Sequence, residues 1–421
     1  MPEVTGLKCV WCGAEYPVSG MFQGCPRCKD GEFAANLIVQ YDYSDLKGLT
    51  REEFASWKGE GLWRFAPLLP VKSPECMVTI SEGNTPLVRC PGIERKTGVK
   101  VFVKDESRNP TWSYKDRLGC VATAKGLEFG AKVTTVSSTG NHGASTAAYA
   151  ARAGLDCVLF TLPTVSEAML GLMQVYGAKL IATTFYGRWE LMSYCVNNFG
   201  WYPLGNYVHA LPTGNPYGTE GYKTIAYEIC LQREWEIPDM ILSPVAYGEG
   251  FNGIWRGFRE LKDLGLIDRT PRMMAIEPTG GPLSNAVKKG LKAPVKVPSK
   301  KSVAFSINGD YMGMQAMVAL RESGGSTVEV SDEEIMAAQS TMGGEGLYPE
   351  AASAAPVAAL LKMAGEGALD GVESVVCIMT SSGLKDPGAT TAVHVKPPVI
   401  EPRVEDMLRA LRDAYGFEAA I

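Results

Sequence analysis

Between residues 100 and 176 the chain alternates strand-length and helix-length patterns, and this order constrains the fold more than any other feature. Lys100-Val101-Phe102-Val103-Lys104 reads as a strand, Arg117 to Phe129 as a helix and Lys132-Val133-Thr134-Thr135-Val136 as a strand. Ala144 to Ala153 is a small-residue helix, Asp156-Cys157-Val158-Leu159-Phe160-Thr161 a buried strand and Ser166 to Tyr176 a helix. Repeated βα order implies crossover connections and a parallel sheet covered on both faces. A second series starts near Thr224, with strands at Met240–Val245, Arg272–Glu277 and Ser374–Met379 and helices at Ile254–Leu264 and Ala352–Ala364. Two sheets with a cleft between them are expected.

Three polar segments fall where such a topology gathers loops at one sheet edge. The first is Ser113-Tyr114-Lys115-Asp116-Arg117, the second Ser137-Ser138-Thr139-Gly140-Asn141-His142-Gly143, and the third Gly248-Glu249-Gly250-Phe251-Asn252-Gly253. A lysine alone is most often a solvated charge, and a lone GxGxxG is a weak signal shared with ordinary turns and dinucleotide sites. Together they describe a nucleophilic amine, a donor-rich turn and a glycine-rich anion cradle between a strand and a helix. That combination suits a phosphorylated aldehyde cofactor held by a lysine.

Composition narrows the class. The chain has 421 residues, 46% of them hydrophobic, and a formal net charge of −5, which suits a globular protein of two or three domains. No basic tract points to nucleic acid and no long apolar run to a membrane span. The opening residues lack a charged segment followed by an apolar one, so a cytoplasmic location is expected. Four of the eleven cysteines fall as Cys9-Val10-Trp11-Cys12 and Cys25-Pro26-Arg27-Cys28. Paired CxxC knuckles place four thiolates about one centre, the pattern of a structural zinc ribbon, whereas two disulfides fit a chain kept reduced less well. The other seven cysteines, mostly in apolar runs, read as small buried hydrophobes.

From Val103-Lys104-Asp105-Glu106-Ser107-Arg108-Asn109-Pro110-Thr111 into Ser113-Tyr114-Lys115-Asp116-Arg117 the chain resembles the threonine synthases, a family of fold-type II, tryptophan-synthase-like pyridoxal-phosphate (PLP) enzymes. The similarity extends to Glu82-Gly83-Asn84-Thr85-Pro86-Leu87-Val88, Asn215-Pro216-Tyr217, Glu220-Gly221-Tyr222-Lys223-Thr224, Glu350-Ala351-Ala352-Ser353-Ala354-Ala355 and Thr380-Ser381-Ser382-Gly383-Leu384-Lys385-Asp386-Pro387. It implies an α/β, two-domain fold with parallel and mixed sheets flanked by helices, plus the N-terminal zinc ribbon. The expected organisation is a ribbon over 1–35, an arm over 36–90, a small PLP domain over 91–225 and a large one with the phosphate loop over 226–421.

The resemblance also implies roles. Lys115, just ahead of a helix, is the Schiff-base lysine and general base. Gly248, Glu249, Gly250, Phe251 and Asn252 grip the cofactor phosphate, with the unusual Glu249 side chain pointing away, and Asn141 meets the ring oxygen. Thr380 faces the ring nitrogen, and a neutral hydroxyl there favours elimination and replacement over deeper carbanion chemistry. Ser138, Thr139, Gly140 and His142 surround the substrate carboxylate, with His142 not the acid–base group.

The expected reaction is PLP-dependent elimination and replacement on an amino acid with a β or γ leaving group, O-phosphohomoserine giving threonine and phosphate, by a lyase working as a homodimer. Against the family pattern stand Gly218 in place of an arginine that helps bind substrate phosphate, Trp112, Tyr114 and Ser382. Thr213, Lys223 or Lys385 are candidates to compensate. These departures keep open a changed substrate, such as cysteate-synthase-like replacement on phosphoserine or a threonine or serine dehydratase. A non-catalytic relative and a nicotinamide-dependent oxidoreductase fit the residues less well.

Overall fold

The computed structural model describes residues 3–30, 34–208 and 213–418. Three sheets organise it. A three-stranded antiparallel sheet joins β1 (Glu3–Cys9), β2 (Glu15–Tyr16) and β3 (Leu37–Asp42) in the order β2-β1-β3. The third strand lies beyond residue 35, so the ribbon is longer than its cysteine spacing suggests.

A six-stranded sheet contains β4 (Leu87–Arg89), β5 (Lys100–Asp105), β10 (Met240–Pro244), β11 (Arg272–Pro278), β12 (Ser326–Val330) and β13 (Ser374–Met379). Their order is β12-β11-β10-β13-β5-β4, all parallel except the β4–β5 pair. A four-stranded parallel sheet, β8-β7-β6-β9, is built from β6 (Val133–Ser137), β7 (Asp156–Thr161), β8 (Lys179–Ala182) and β9 (Tyr202–Pro203). The expected division at residue 90 is therefore displaced. β5 pairs with β13 from Lys100↔Ser374 to Asp105↔Met379 and belongs to the larger sheet, although it lies within 91–225. Its alternate residues Val101 and Val103 are fully buried in the cluster that also takes Val375 and Cys377.

The connection between the sheets is the helix Lys115–Glu128, whose residues Asp116 to Gly126 are all buried. A helix hidden on every side must satisfy its polar groups internally. Arg117 does so through Nε to Glu106 Oε2 at 2.6 Å, Nη1 to Glu228 Oε1 at 2.7 Å and Nη2 to Glu106 Oε1 at 2.7 Å. Lys104 Nζ completes the cluster on Glu228 Oε2 at 2.7 Å. Burial alone would raise the Glu228 carboxyl, but Arg117 and Lys104 beside it hold it below the usual carboxylate range. Two cations and two carboxylates thus fix the helix directly behind Lys115.

Candidate active site

Lys115 is the first residue of its helix rather than a residue ahead of it, because Tyr114 already adopts right-handed helical angles. The backbone on either side is held: Tyr114 N donates to Thr380 O at 2.9 Å, Lys115 N to Ser113 Oγ at 3.1 Å, and Ser145 Oγ to Lys115 O at 3.0 Å. The amine itself forms no ion pair among the described residues. Its Nζ sits 5.0 Å from the Tyr114 ring centre and 5.8 Å from that of Tyr222. It opens on a cavity lined by Tyr114, Lys115 and the run Pro244 to Phe251. The neighbouring Asp116 turns inward and accepts from Thr111 N and Oγ1, both at 2.6 Å, and burial pushes its carboxyl up to about 6.

The glycine-rich turn enters the helix Glu249–Asp263 through Gly248 at φ 90°, a left-handed conformation that favours glycine. A Cβ at Gly248 would meet Ala316 Cβ at 2.6 Å, and one at Gly250 would meet the Tyr114 ring at 2.6 Å. The first turn of a 15-residue helix therefore begins at the cavity, with Ala316 and the Tyr114 ring packed against its two glycines. Phe251 is buried in the core. Asn252 Nδ2 and Glu249 Oε1 are buried without hydrogen-bond partners. Asn252 Nδ2, a donor without a partner at a helix N-terminus, fits an anionic group such as a cofactor phosphate, whereas the Glu249 oxygen does not. The Glu249 side chain does not leave the protein: it packs on Gly214, where a Cβ would stand 2.1 Å from Oε1. Burial raises its carboxyl, against the opposing pull of Lys115.

Asn141 begins the helix Asn141–Arg152 and donates from Nδ2 to Glu350 Oε2 at 2.8 Å, while its Oδ1 accepts from Ser381 Oγ at 3.2 Å. Ser138 Oγ receives Gly140 N at 3.2 Å and Gly143 N at 2.9 Å, which closes the turn, and Thr139 and Gly140 stay partly open. His142 Nε2 is buried without a partner, and burial followed by the Lys115 charge pushes its pKa down to about 3. Thr380 Oγ1 shares a 2.8 Å hydrogen bond with Ser353 Oγ, so the group at the end of β13 is a neutral hydroxyl pair. The structure thus gathers Lys115, Asn141, Thr380, the Ser138–His142 turn and the glycine loop between its two large sheets.

It does not gather Thr213 and Lys223 with them as free groups. Thr213 Oγ1 donates to Phe22 O in the ribbon at 2.7 Å. Lys223 Nζ is buried on Glu220 and Glu260, both at 2.8 Å, and on Leu68 O, so its charge is already balanced. Lys385 Nζ binds Thr111 O at 2.6 Å, and burial lowers it to about 8. Gly218 is packed on the Lys115 helix, where a Cβ would lie 2.9 Å from Ala122 Cβ and 3.1 Å from Leu118 Cγ. Trp112, 45% exposed at φ 59°, accepts from Ser382 N and Ser381 Oγ through its carbonyl. Glu350, Ala246 and Tyr247 were missed as site residues. A carboxylate ahead of an alanine-rich helix reads as a local cap, and only the fold carries it to Asn141.

At the N-terminus Cys9, Cys12, Cys25 and Cys28 bring their sulfurs within 4.8 Å of one another. The pairs Cys9–Cys28 and Cys12–Cys25 are each 3.8 Å apart, and Trp11 N and Cys12 N both donate to Cys9 Sγ at 3.4 Å. The Ala14 amide beside Cys12 lowers its thiol to about 7. Six of the other seven cysteines are buried, and Cys76 is partly exposed.

Comparison with known proteins agrees with this geometry. A family model described as pyridoxal-phosphate dependent enzyme matches residues 78–381. A threonine synthase of Methanocaldococcus jannaschii is 37% identical over 413 residues, covering 96% of this chain and 99% of that protein. A threonine synthase of Methanosarcina acetivorans is 37% identical over 412 residues, with 96% and 98% covered. Among solved structures, maize serine racemase superposes with a TM-score of 0.64 at 19% identity, over 74% of this chain and 91% of that one. O-ureido-L-serine synthase does so with 0.61 at 19%, over 78% and 96%. At these identities the two structures speak for the fold alone. Among the described residues no helix is long and apolar enough to cross a membrane.

Proposed function

The chain belongs to the threonine synthase family of fold-type II PLP-dependent enzymes, and from that premise we propose that it converts O-phosphohomoserine and water to threonine and phosphate. In the balanced reaction the γ-carbon–oxygen bond breaks with its electron pair leaving on phosphate. The β carbon gives up one proton and takes the hydroxyl of water, the γ carbon takes up a proton in place of the phosphate oxygen, and the remaining proton leaves with phosphate. The observation that carries this reading is the Lys115 amine, unpaired and facing the glycine-stripped turn across one cavity.

The residues that would hold the cofactor are Lys115, the amides of the Gly248–Asn252 turn for its phosphate, Asn141 for its ring oxygen and the Thr380 hydroxyl for its ring nitrogen. PLP, when bound, supplies an electron sink for the carbon next to the amino group. Lys115 then holds and moves the α-proton, a task suited to an amine placed beside two tyrosine rings with no carboxylate bound to it. The Ser138–Gly143 turn presents N–H groups and hydroxyls to the substrate carboxylate. His142, neutral near pH 7, contributes shape and not proton transfer.

The cysteine cluster supports a structural zinc. A tetrahedral zinc with Zn–S bonds of about 2.3 Å needs sulfurs roughly 3.8 Å apart, and two pairs already stand at 3.8 Å.

The filled position at Gly218 favours one second reading, a relative with a changed phospho-amino acid. Product analysis decides between them: the purified enzyme loaded with PLP, given O-phosphohomoserine or O-phosphoserine, is expected to release threonine and phosphate from the first. Turnover of O-phosphoserine alone would replace this reading with the second. Lys115→Ala is expected to lose on the order of 10³-fold or more in turnover and the borohydride-fixed cofactor on that peptide.

A further inference from the structure

Tyr114, one of the departures from the family pattern, precedes Lys115 and lines the cavity with it, together with the run Pro244 to Phe251. Its backbone is pinned at one end of the site, where Tyr114 N donates to Thr380 O at 2.9 Å. Its side chain reaches the other end. A Cβ on Gly250 would meet Tyr114 Cε2 at 2.6 Å and the hydroxyl oxygen at 3.3 Å, so the phenol lies along the first turn of the helix Glu249–Asp263.

Packing accounts for the ring and not for the hydroxyl. The ring fills the space above Gly250, stands 4.9 Å from the Tyr222 ring and holds Lys115 Nζ 5.0 Å from its centre. A phenylalanine would do all three. The hydroxyl forms no hydrogen bond among the described residues, and Tyr114 is only half buried because it borders the cavity. The Tyr222 hydroxyl, by contrast, is sealed inside the protein. A phenol has one O–H to donate, and that of Tyr114 has the cavity to donate into.

The groups around it favour an oxyanion. The first intrahelical bond of the turn runs from Asn252 N to Gly248 O, which leaves the N–H groups of Glu249, Gly250 and Phe251 without helical acceptors. Asn252 Nδ2, on a side chain 2% exposed, is a further donor without a partner. Donors gathered at the positive end of a helix suit a phosphate. The carboxyl of the turn, Glu249, sets its Oε1 against Gly214.

We propose that the Tyr114 hydroxyl donates a hydrogen bond to the phosphate of the cofactor, so that one residue ties the Thr380 end of the site to the glycine-rich turn. This assignment rests on the cofactor phosphate lying at the Gly248–Asn252 turn. The phosphate of a phospho-amino acid offers the same oxyanion, and the test separates the two.

Tyr114→Phe and Asn252→Ala are compared with the unchanged enzyme for affinity toward PLP and toward pyridoxal, which lacks the phosphate, by absorbance titration. KM for O-phosphohomoserine is measured at saturating PLP. Tyr114→Phe is expected to bind PLP roughly tenfold to a hundredfold more weakly and pyridoxal within about twofold. Its Tm in PLP-free protein should be unchanged, because the hydroxyl has no protein partner to lose. An equal loss for PLP and pyridoxal makes Tyr114 a structural support and overturns the assignment. Unchanged PLP affinity with a raised KM gives the hydroxyl to the substrate phosphate and also overturns it. A PLP-selective loss in Asn252→Ala alone keeps the phosphate at the turn and removes Tyr114. No PLP-selective loss in either variant removes the placement of the phosphate itself.

Discussion

Asn141 Nδ2 and Glu350 Oε2, 2.8 Å apart, form a hydrogen bond that spans the cleft. The helix that Asn141 opens packs on β6 and β7, whereas Glu350 precedes the helix Ala351–Gly365, which packs on β10 and β13. Glu350 Oε1 also accepts from Ser306 Oγ at 3.0 Å. A change in the separation of the two sheets must stretch this bond, so it reports on how closed the site is.

Glu350→Ala leaves Asn141 Nδ2 and Ser306 Oγ without that acceptor. The loss is expected to cost about 1–3 kcal/mol in urea unfolding and to lower kcat/KM. Glu350→Gln keeps an acceptor oxygen and should recover part of both. Identical unfolding midpoints for all three proteins would remove the bridge from the energetics.

Glu249 carries a pH signature. Burial raises its carboxyl in the folded protein above its unfolded value, so the stability linked to its proton is present at low pH and lost as pH rises through the folded value. Glu249→Gln has no proton to lose. In PLP-free protein its Tm advantage should be small near the unfolded value, about pH 4.3, and grow toward neutrality. A gap that stays flat or shrinks with rising pH would show that the carboxyl finds a partner on ionising.

Gly218→Arg is expected to fail as a repair. The Cβ direction runs into Ala122 and Leu118, so even Gly218→Ala should cost about 1–3 kcal/mol by overpacking. The arginine variant should be less stable still, with no gain on O-phosphohomoserine. Improved turnover in a stably folded Gly218→Arg enzyme would contradict the close packing.

Metal analysis of freshly reduced protein should give one zinc per chain, and Cys9→Ser should reduce it. Strong chelators are expected to lower the Tm, since structural zinc contributes directly to folding. A full complement of zinc in Cys9→Ser would place the metal elsewhere.

Much of the framework was legible because parallel strands buried on both faces read as apolar runs. Ser374–Met379 and Asp156–Thr161 emerge with the same ends in sequence and structure. β4, three residues long, and β12, which has one fully buried residue, lack that signal. The candidate site was legible where the proposed role lies in the backbone, as at Gly248, or in a lone amine, as at Lys115. It was not legible where side chains choose among distant partners. Lys223 belongs to Glu220 and Glu260 and Arg117 to Glu106 and Glu228, yet nothing local separates the two.

The ribbon is stitched to the segment that abuts Glu249. Tyr217 OH donates to Ser19 O at 2.8 Å and accepts from Ser19 N at 3.0 Å, Thr213 Oγ1 donates to Phe22 O, and Asn36 links Thr213 O to Gln315 N. Gly24 lies so close that a Cβ there would touch Thr213 Cγ2 at 2.6 Å. Trimming the first forty residues would strip the partners from Tyr217 and Thr213 and bare the back of the loop that cups the cavity. The ribbon thus works as a buttress: a chain shortened to its two large sheets would carry every residue proposed for the chemistry and still lack the wall that keeps them facing one another.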